Sequence, residues 1–145
     1  MNNQRRHIGR NIREVLNMFR RNIEYAANES GITVVQGRLL HYINVTGKNK
    51  EVYQKDIETE FNIRRSSASE MLQKLENKGL IVRLADPKDK RVKKIILTNR
   101  GEKLENTVFS QVCNYEKELV KDIPEEKIDI FLEVLDSIKN NLEKI

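Results

Sequence analysis

The chain has 145 residues, 38% of them apolar, with 27 Lys/Arg against 22 Asp/Glu and a single cysteine. That length supports one domain with its own core, the regular recurrence of apolar residues excludes disorder, and no run approaches the roughly 18 to 20 apolar residues of a membrane helix. Cys113 alone cannot form an internal disulfide, and the opening MNNQRRHIGRNIR carries charge without the apolar stretch of a secretory signal, so a cytoplasmic location is expected.

Residues 5–29 space Ile8, Ile12, Val15, Leu16, Phe19 and Ile23 along one helical stripe, stopped by Ser30-Gly31. Thr33 and Gln36 make a capping-box pattern that opens a second helix, with Val35, Leu39, Leu40 and Ile43 on its inner face. After a break at 46–50, Gln54 to Phe61 is a short third helix, and Asn62 sits at a turn where asparagine tolerates left-handed backbone. A fourth helix runs from about Arg64 to Lys78, with Ala68, Leu72 and Leu75 pointing inward and Met71 beside them. Gly79 stops it and Leu80 packs behind the stop.

Ile81–Ala85 and Lys93–Leu97 then read as two β-branched strands, joined by a turn at Asp86-Pro87-Lys88-Asp89. Thr98 or Asn99 caps a fifth helix, Asn99 with Glu102 fitting a capping box, and its stripe is Leu104, Val108, Val112, Tyr115 and Leu119. Pro124-Glu125-Glu126 opens a sixth, lined by Ile128, Phe131, Leu132, Leu135, Ile138 and Leu142. The order is ααααββαα: mainly α with a small β-hairpin, a winged helix-turn-helix. The apolar stripes of the first, fifth and sixth helices exceed what the small central core can bury, so a second copy of the chain is the expected cover.

Charge is concentrated in the same central unit. From Arg64 to Lys94 there are ten Lys/Arg and four acids, a net +6, while the rest of the chain has 17 basic and 18 acidic residues. Positive charge gathered on a helix and hairpin suits a polyanion. A helix in the major groove presents its amino-terminal residues and outer face to the bases. The candidates are Arg64, Arg65, Ser66, Ser67, Ser69, Gln73 and Lys74. Short hydroxyls allow close approach, Gln73 can pair bidentately with adenine, and Arg64, Arg65 or Lys74 can meet guanine or phosphate. Against this, Ser66 can simply cap the helix and the others form a solvated face. Glu70 is an acid on that face, able to accept from cytosine or to deter wrong sites. At the hairpin, Lys88, Lys90 and Arg91 cluster around Asp89, which can hold the arginine fork for a narrow minor groove. The alternative is an ordinary charged turn.

Three motifs, Leu75-Glu76-Asn77-Lys78-Gly79-Leu80-Ile81-Val82-Arg83, Asp86-Pro87-Lys88-Asp89-Lys90-Arg91 and Leu97-Thr98-Asn99-Arg100-Gly101, follow one another with the gaps of a known pattern. In them, and in helical order, nearly the whole chain resembles the MarR family of bacterial winged-helix transcription regulators. The resemblance implies one MarR-like domain over 1–145, with a DNA-binding core at about 33–101 and dimerisation helices at about 5–29 and 102–145. It implies a homodimer with interlocking terminal helices on a pseudo-palindromic double-stranded operator, usually as a repressor. Asp89 and Arg91 match the family's wing pair, Arg91 in the minor groove.

Members of such families often release DNA when a small molecule binds or a cysteine oxidises. Phe19, Tyr25, Tyr42 and Tyr115 are weak candidates to line a ligand crevice, aromatic residues on helix stripes being more often core. The peroxide-sensing branch carries its cysteine in the first helix, where this chain has none, so Cys113 reads as a small buried thiol. With only His7 and His41, no metal and no cofactor are expected. No phosphate loop or nucleophile–base pair points to an enzyme. The competing reading is a winged-helix adaptor that binds protein without sequence-specific DNA binding.

Overall fold

The computed structural model describes residues 7–145, apart from the side chain of Ala26; positions 5 and 6 of the expected first helix lie outside the described residues. The elements are α1 (Ile8–Glu29), α2 (Val34–Gly47), α3 (Gln54–Glu60), α4 (Arg65–Asn77), β1 (Ile81–Ala85), β2 (Lys93–Leu97), α5 (Asn99–Leu119) and α6 (Glu125–Leu142). This is the winged-helix order ααααββαα read from the sequence.

Two glycines end helices by the same device. Gly31 and Gly79 have φ of 72° and 68°, a left-handed conformation that glycine adopts freely. After α1 the Ile32 N–H donates to the Ala27 carbonyl and the Gly31 N–H to that of Asn28; after α4 the Leu80 N–H donates to Leu75 and the Gly79 N–H to Glu76. These paired bonds satisfy the last carbonyls of each helix, and the next residue, Ile32 or Leu80, is buried as the motif requires. Asn62 makes the α3–α4 turn at φ 48°.

The core sits where α2, α3, α4 and the hairpin meet. Leu39, Leu40, Ile57, Ala68, Leu72 and Leu75 have no exposed surface, and Val52, Leu80, Ile81 and Ile95 close around them. From α5, Leu104 and Val108 pack against this cluster. Of the expected α2 stripe, Leu39, Leu40 and Ile43 are buried, but Val35 is exposed and Gln36 is buried in its stead. The capping box explains it. Gln36 folds back to accept from the Thr33 N–H at 3.1 Å while Thr33 Oγ1 accepts from the Gln36 N–H at 3.2 Å, and Lys78 Nζ donates to the same amide oxygen at 3.0 Å.

β1 and β2 pair antiparallel, Ile81 opposite Leu97 and Ala85 opposite Lys93. Residues 52–53, which the sequence left as a connection, extend this hairpin. Tyr53 bridges Lys94, and the Ile95 N–H donates to the Val52 carbonyl at 2.8 Å. Chain packing divides the protein inside α5, one unit ending at Gln111 and the other running from Val112 to Ile145. The first half of α5 thus goes with the winged helix, beyond the expected boundary at 101.

Of the two caps proposed for α5, Thr98 takes the role. Its hydroxyl accepts from the Gly101 N–H at 3.0 Å and donates to the Gly79 carbonyl at 2.7 Å, while its N–H donates to the Leu80 carbonyl at 3.0 Å. The capped residue is therefore Gly101 rather than Glu102. A Cβ at Gly101 would lie 2.0 Å from the Leu80 carbonyl oxygen, a backbone atom that cannot turn away. Gly9, in α1, has nothing within 4 Å of the same point. Gly101→Ala is therefore expected to lower stability by about 2 kcal/mol or more, and Gly9→Ala to leave it unchanged or raise it by up to about 1 kcal/mol. Chemical denaturation of the two variants checks both signs.

Candidate nucleic-acid interface

The inward face of α4 is Ala68, Leu72 and Leu75, so helical geometry turns Arg65, Ser66, Ser67, Ser69, Glu70, Gln73 and Lys74 outward, and all of them are exposed. Arg64 stands at the N-cap in extended backbone and is exposed too, with no side-chain capping bond. Ser66 is therefore the second residue of the helix rather than its cap, and its hydroxyl faces solvent. Gln54, the first residue of α3, donates to the Arg65 carbonyl at 3.2 Å and to Glu58 at 3.0 Å, fixing the start of α4 against α3.

The wing tip is longer than the four-residue turn expected. Asp86 N–H pairs with the Val92 carbonyl and Val92 N–H with that of Asp89, so the reversal itself is Asp89–Val92. Asp89 Oδ1 accepts from the Arg91 backbone N–H at 3.0 Å and from its Nε at 3.1 Å, while the Arg91 side chain is 90% exposed. The fork is aimed by the aspartate and kept in solvent. Lys88 and Lys90 are exposed beside it.

Between α3, the start of α4 and the wing lies a hollow of about 410 Å³, lined by Lys55, Arg65, Arg83, Arg91 and Lys93, with Glu58 as its one acid. Concentrated positive potential in a concave surface attracts a polyanion more strongly than the same charges on a flat one. The hollow joins Arg65 of the helix to Arg91 of the wing. Lys55 was missed by the sequence reading because it lies outside the basic segment 64–94; Arg83 and Lys93 were counted in its charge but given no role.

Tyr53 was also missed. Its hydroxyl sits between two carboxylates, hydrogen-bonded to Asp86 Oδ2 and 2.6 Å from Glu51 Oε2, and Lys94 Nζ donates to Glu51 Oε1 at 2.8 Å. Asp86 also accepts from the Lys88 N–H at 2.7 Å. The Tyr53 hydroxyl, then the Lys88 N–H, hold the Asp86 carboxyl below the ordinary aspartate range, and the same contact raises the Tyr53 phenol. This network roots the base of the wing to the segment before α3. Nothing in local periodicity marks Tyr53 for it, since its partners are distant in sequence.

Several outward residues are already engaged. Lys74 pairs with Glu70 at 2.7 Å, which lowers the Glu70 carboxyl. Gln73 Oε1 accepts from Arg83 Nη2 at 2.7 Å, and Gln73 Nε2 donates to Asn77 Oδ1 at 2.9 Å. Arg83 donates from Nε and Nη2 to Glu76 Oε2 at 3.0 and 2.5 Å. Phe19 and Tyr25 lie on α1, where the Tyr25 hydroxyl engages Glu29, and Tyr42 meets Phe61 edge-on at 5.9 Å. Tyr115 belongs to the unit from Val112 onward, and Cys113 is half-buried. His41 Nδ1 lies 2.7 Å from Glu105 Oε1, and Asn44 donates to Glu105 Oε2 at 2.6 Å, so a carboxylate 4% exposed sits in the α2–α5 contact. Among the described residues no group of three or more His, Cys, Asp or Glu forms a metal-ligand set, and no helix is long and apolar enough to cross a membrane.

A buried-faced helix with a hydroxyl-rich start, followed by a hairpin bearing a held-out arginine, defines a winged-helix protein. The MarR family model matches residues 30–92. The "uncharacterized HTH-type transcriptional regulator YdgJ" of Bacillus subtilis is 26% identical over 95 residues, 66% of this chain and 58% of that relative, so the chain spans less than two thirds of its length. Among solved structures, the transcription regulator MarR from Oenococcus oeni is 28% identical, with TM-score 0.68 over 92% of this chain and 98% of the other. The S. aureus MepR–DNA complex is 26% identical, with TM-score 0.79 over 97% and 99%. The chain thus shares the winged-helix fold of MarR-family regulators, and its likeness to their family model covers residues 30–92.

The depressed Asp86 carboxyl sets a pH dependence. Its folded value is below its unfolded value, so the stability it adds is complete above the ordinary aspartate range and is lost as pH falls through the depressed value. Tyr53→Phe removes the principal donor, which shrinks that contribution and moves the acid loss of wing order upward, toward about pH 4. Asp86→Asn removes this acid limb. Amide spectra of residues 86–94 followed from pH 6 to pH 2 test it; an acid transition of the wing identical in all three proteins would refute the Tyr53 anchor.

Proposed function

We propose that this chain is a dimeric, sequence-specific binder of double-stranded DNA that regulates transcription in the bacterial cytoplasm as a repressor. In this reading α4 enters the major groove through Arg64, Arg65, Ser66, Ser67 and Ser69, with Lys74 at its flank. The wing lays Arg91, aimed by Asp89 and accompanied by Lys88 and Lys90, into the adjacent minor groove. The carrying observation is the cationic hollow that joins helix to wing, with Lys55, Arg83 and Lys93 on its walls. A phosphate backbone crossing from one groove to the next would meet those cations. The likeness to a MepR–DNA complex at TM-score 0.79 supports the same docking. No catalytic role is part of this reading.

Dimerisation rests on surface left in water. Ile8, Val15 and Met18 of α1 and Ile130, Phe131, Leu132 and Leu142 of α6 are each more than half exposed. At about 25 cal/mol per Å², burying such faces against a second copy stabilises the pair by several kcal/mol. Two copies then present two recognition helices to successive turns of one duplex.

Fragments of the host genome selected by the purified protein should contain inverted repeats with half-sites about one helical turn apart. Affinity should fall steeply and linearly with the logarithm of salt concentration. Arg91→Ala should weaken operator binding by at least about tenfold with the dimer intact, and Lys55→Ala should reduce the salt slope by about 1 per protomer. Binding that ignores both salt and sequence would favour the adaptor reading instead. Sedimentation of the wild type should give a dimer, and a chain carrying both Phe131→Asp and Leu132→Asp should give a folded monomer. A monomeric wild type would remove the dimer.

A further inference from the structure

We propose that Gln73 is a brace between the recognition helix and the wing rather than a reader of bases, with Arg83 as the positioning residue that holds it. The sequence of the operator is then read by the first two turns of α4. This rests on the DNA-binding reading above and deepens it.

A glutamine that reads adenine needs both ends of its amide, the oxygen to accept from N6 and the nitrogen to donate to N7. Both ends of Gln73 are committed within the protein, the oxygen to Arg83 Nη2 at 2.7 Å and the nitrogen to Asn77 Oδ1 at 2.9 Å. The orientation of the amide is therefore set, with its oxygen toward the wing. Arg83 has little freedom to release it. Its fork is pinned by two bonds to Glu76, at 3.0 and 2.5 Å, and the side chains of this pair are 17% and 31% exposed, the most enclosed Lys/Arg–carboxylate pair among the described residues. Pulling Gln73 away would leave a largely buried charged donor one acceptor short.

Position agrees with chemistry. Gln73 is the ninth of thirteen residues in α4, two turns past the start that approaches base edges most closely. Arg83 is the middle residue of β1, paired in register with Ile95. One guanidinium thus connects the third turn of α4 to the centre of the hairpin. With that link in place the major-groove helix and the minor-groove arginine move as a single body, and their spacing on the duplex is fixed before DNA arrives.

The test is a base-preference profile, obtained by selecting bound sites from a random-sequence duplex library with five proteins: wild type, Gln73→Ala, Gln73→Glu, Arg83→Lys and the double variant with Gln73→Ala and Arg83→Lys. A brace predicts that Gln73→Glu keeps the wild-type preference at every position, because a carboxylate still accepts from Arg83. It predicts that Gln73→Ala and Arg83→Lys each reduce the ratio of operator to random-DNA affinity by about tenfold, with the loss spread over the half-site. Combining the two should add little, since either one already breaks the link. If Gln73→Ala erases preference at one base pair per half-site while Arg83→Lys leaves that pair intact, Gln73 is a reader and the brace is wrong. A change from adenine to cytosine at one position in Gln73→Glu has the same meaning. A wild type without any sequence preference overturns the DNA-binding reading itself, and the brace with it; a wild type with preference and the single-position loss overturns the brace alone.

Discussion

The rest of the structure depends on the close approach of Gly101 to the backbone of Leu80. A side chain at 101 would meet the Leu80 carbonyl at 2.0 Å, so only glycine lets the start of α5 lie against the end of α4. Thr98 completes the joint with one hydroxyl, donating to the Gly79 carbonyl and accepting from the Gly101 N–H. Three elements meet there: α4 as it stops, β1 as it begins, and α5 as it starts. Their angles are set by backbone contacts rather than by flexible side chains. Backbone contacts of this kind are hard to deform, because interiors pack as solids.

The acids of the basic segment serve this geometry. All four acids between Arg64 and Lys94 are engaged: Glu70 with Lys74, Glu76 with Arg83, Asp86 with Tyr53 and the Lys88 N–H, and Asp89 with Arg91. The same ten cations without these acids would repel one another and sample many rotamers. Here each carboxylate aims or anchors a particular group, and the surplus positive charge is still free to meet phosphate. The exposed pairs, Glu70–Lys74 and Asp89–Arg91, add little stability, so their value lies in placing donors.

The fold was legible in the sequence wherever a local rule decides the conformation. Gly31, Gly79 and Asn62 needed left-handed backbone, Thr33 and Gln36 formed their box, and Ala68, Leu72 and Leu75 repeated at helical spacing. Each of these is settled within about five residues of chain. What the sequence hid was settled by partners far away. The buried Gln36 amide oxygen takes a second donor from Lys78, at the end of α4 and 42 residues on. The cap at Thr98 also donates to the Gly79 carbonyl, 19 residues away in the chain. Tyr53 supports the wing through Asp86, 33 residues on. Of the candidate site, the charge excess of α4 and the wing was readable from composition. That a hollow joins them, with Lys55 on its wall, follows only from how α3 packs.

Glu105 is the clearest case of a residue that periodicity misreads. It falls on the buried side of α5, beside Leu104 and Val108, yet its side chain is polar. Its carboxylate accepts from Asn44 and meets His41, whose ring stacks on Phe109 at 4.7 Å. Taking a carboxylate out of water is expensive, and an apolar residue of the same size would often give equal or better stability. An apolar residue would also tolerate rotation of α5 about its own axis, because methyl groups pack without direction. The carboxylate does not: a turn of even one residue would leave it buried without donors, at a loss of several kcal/mol. The donors on α2 thus fix the register of α5, which is a physical reason for a carboxyl group to sit at this contact.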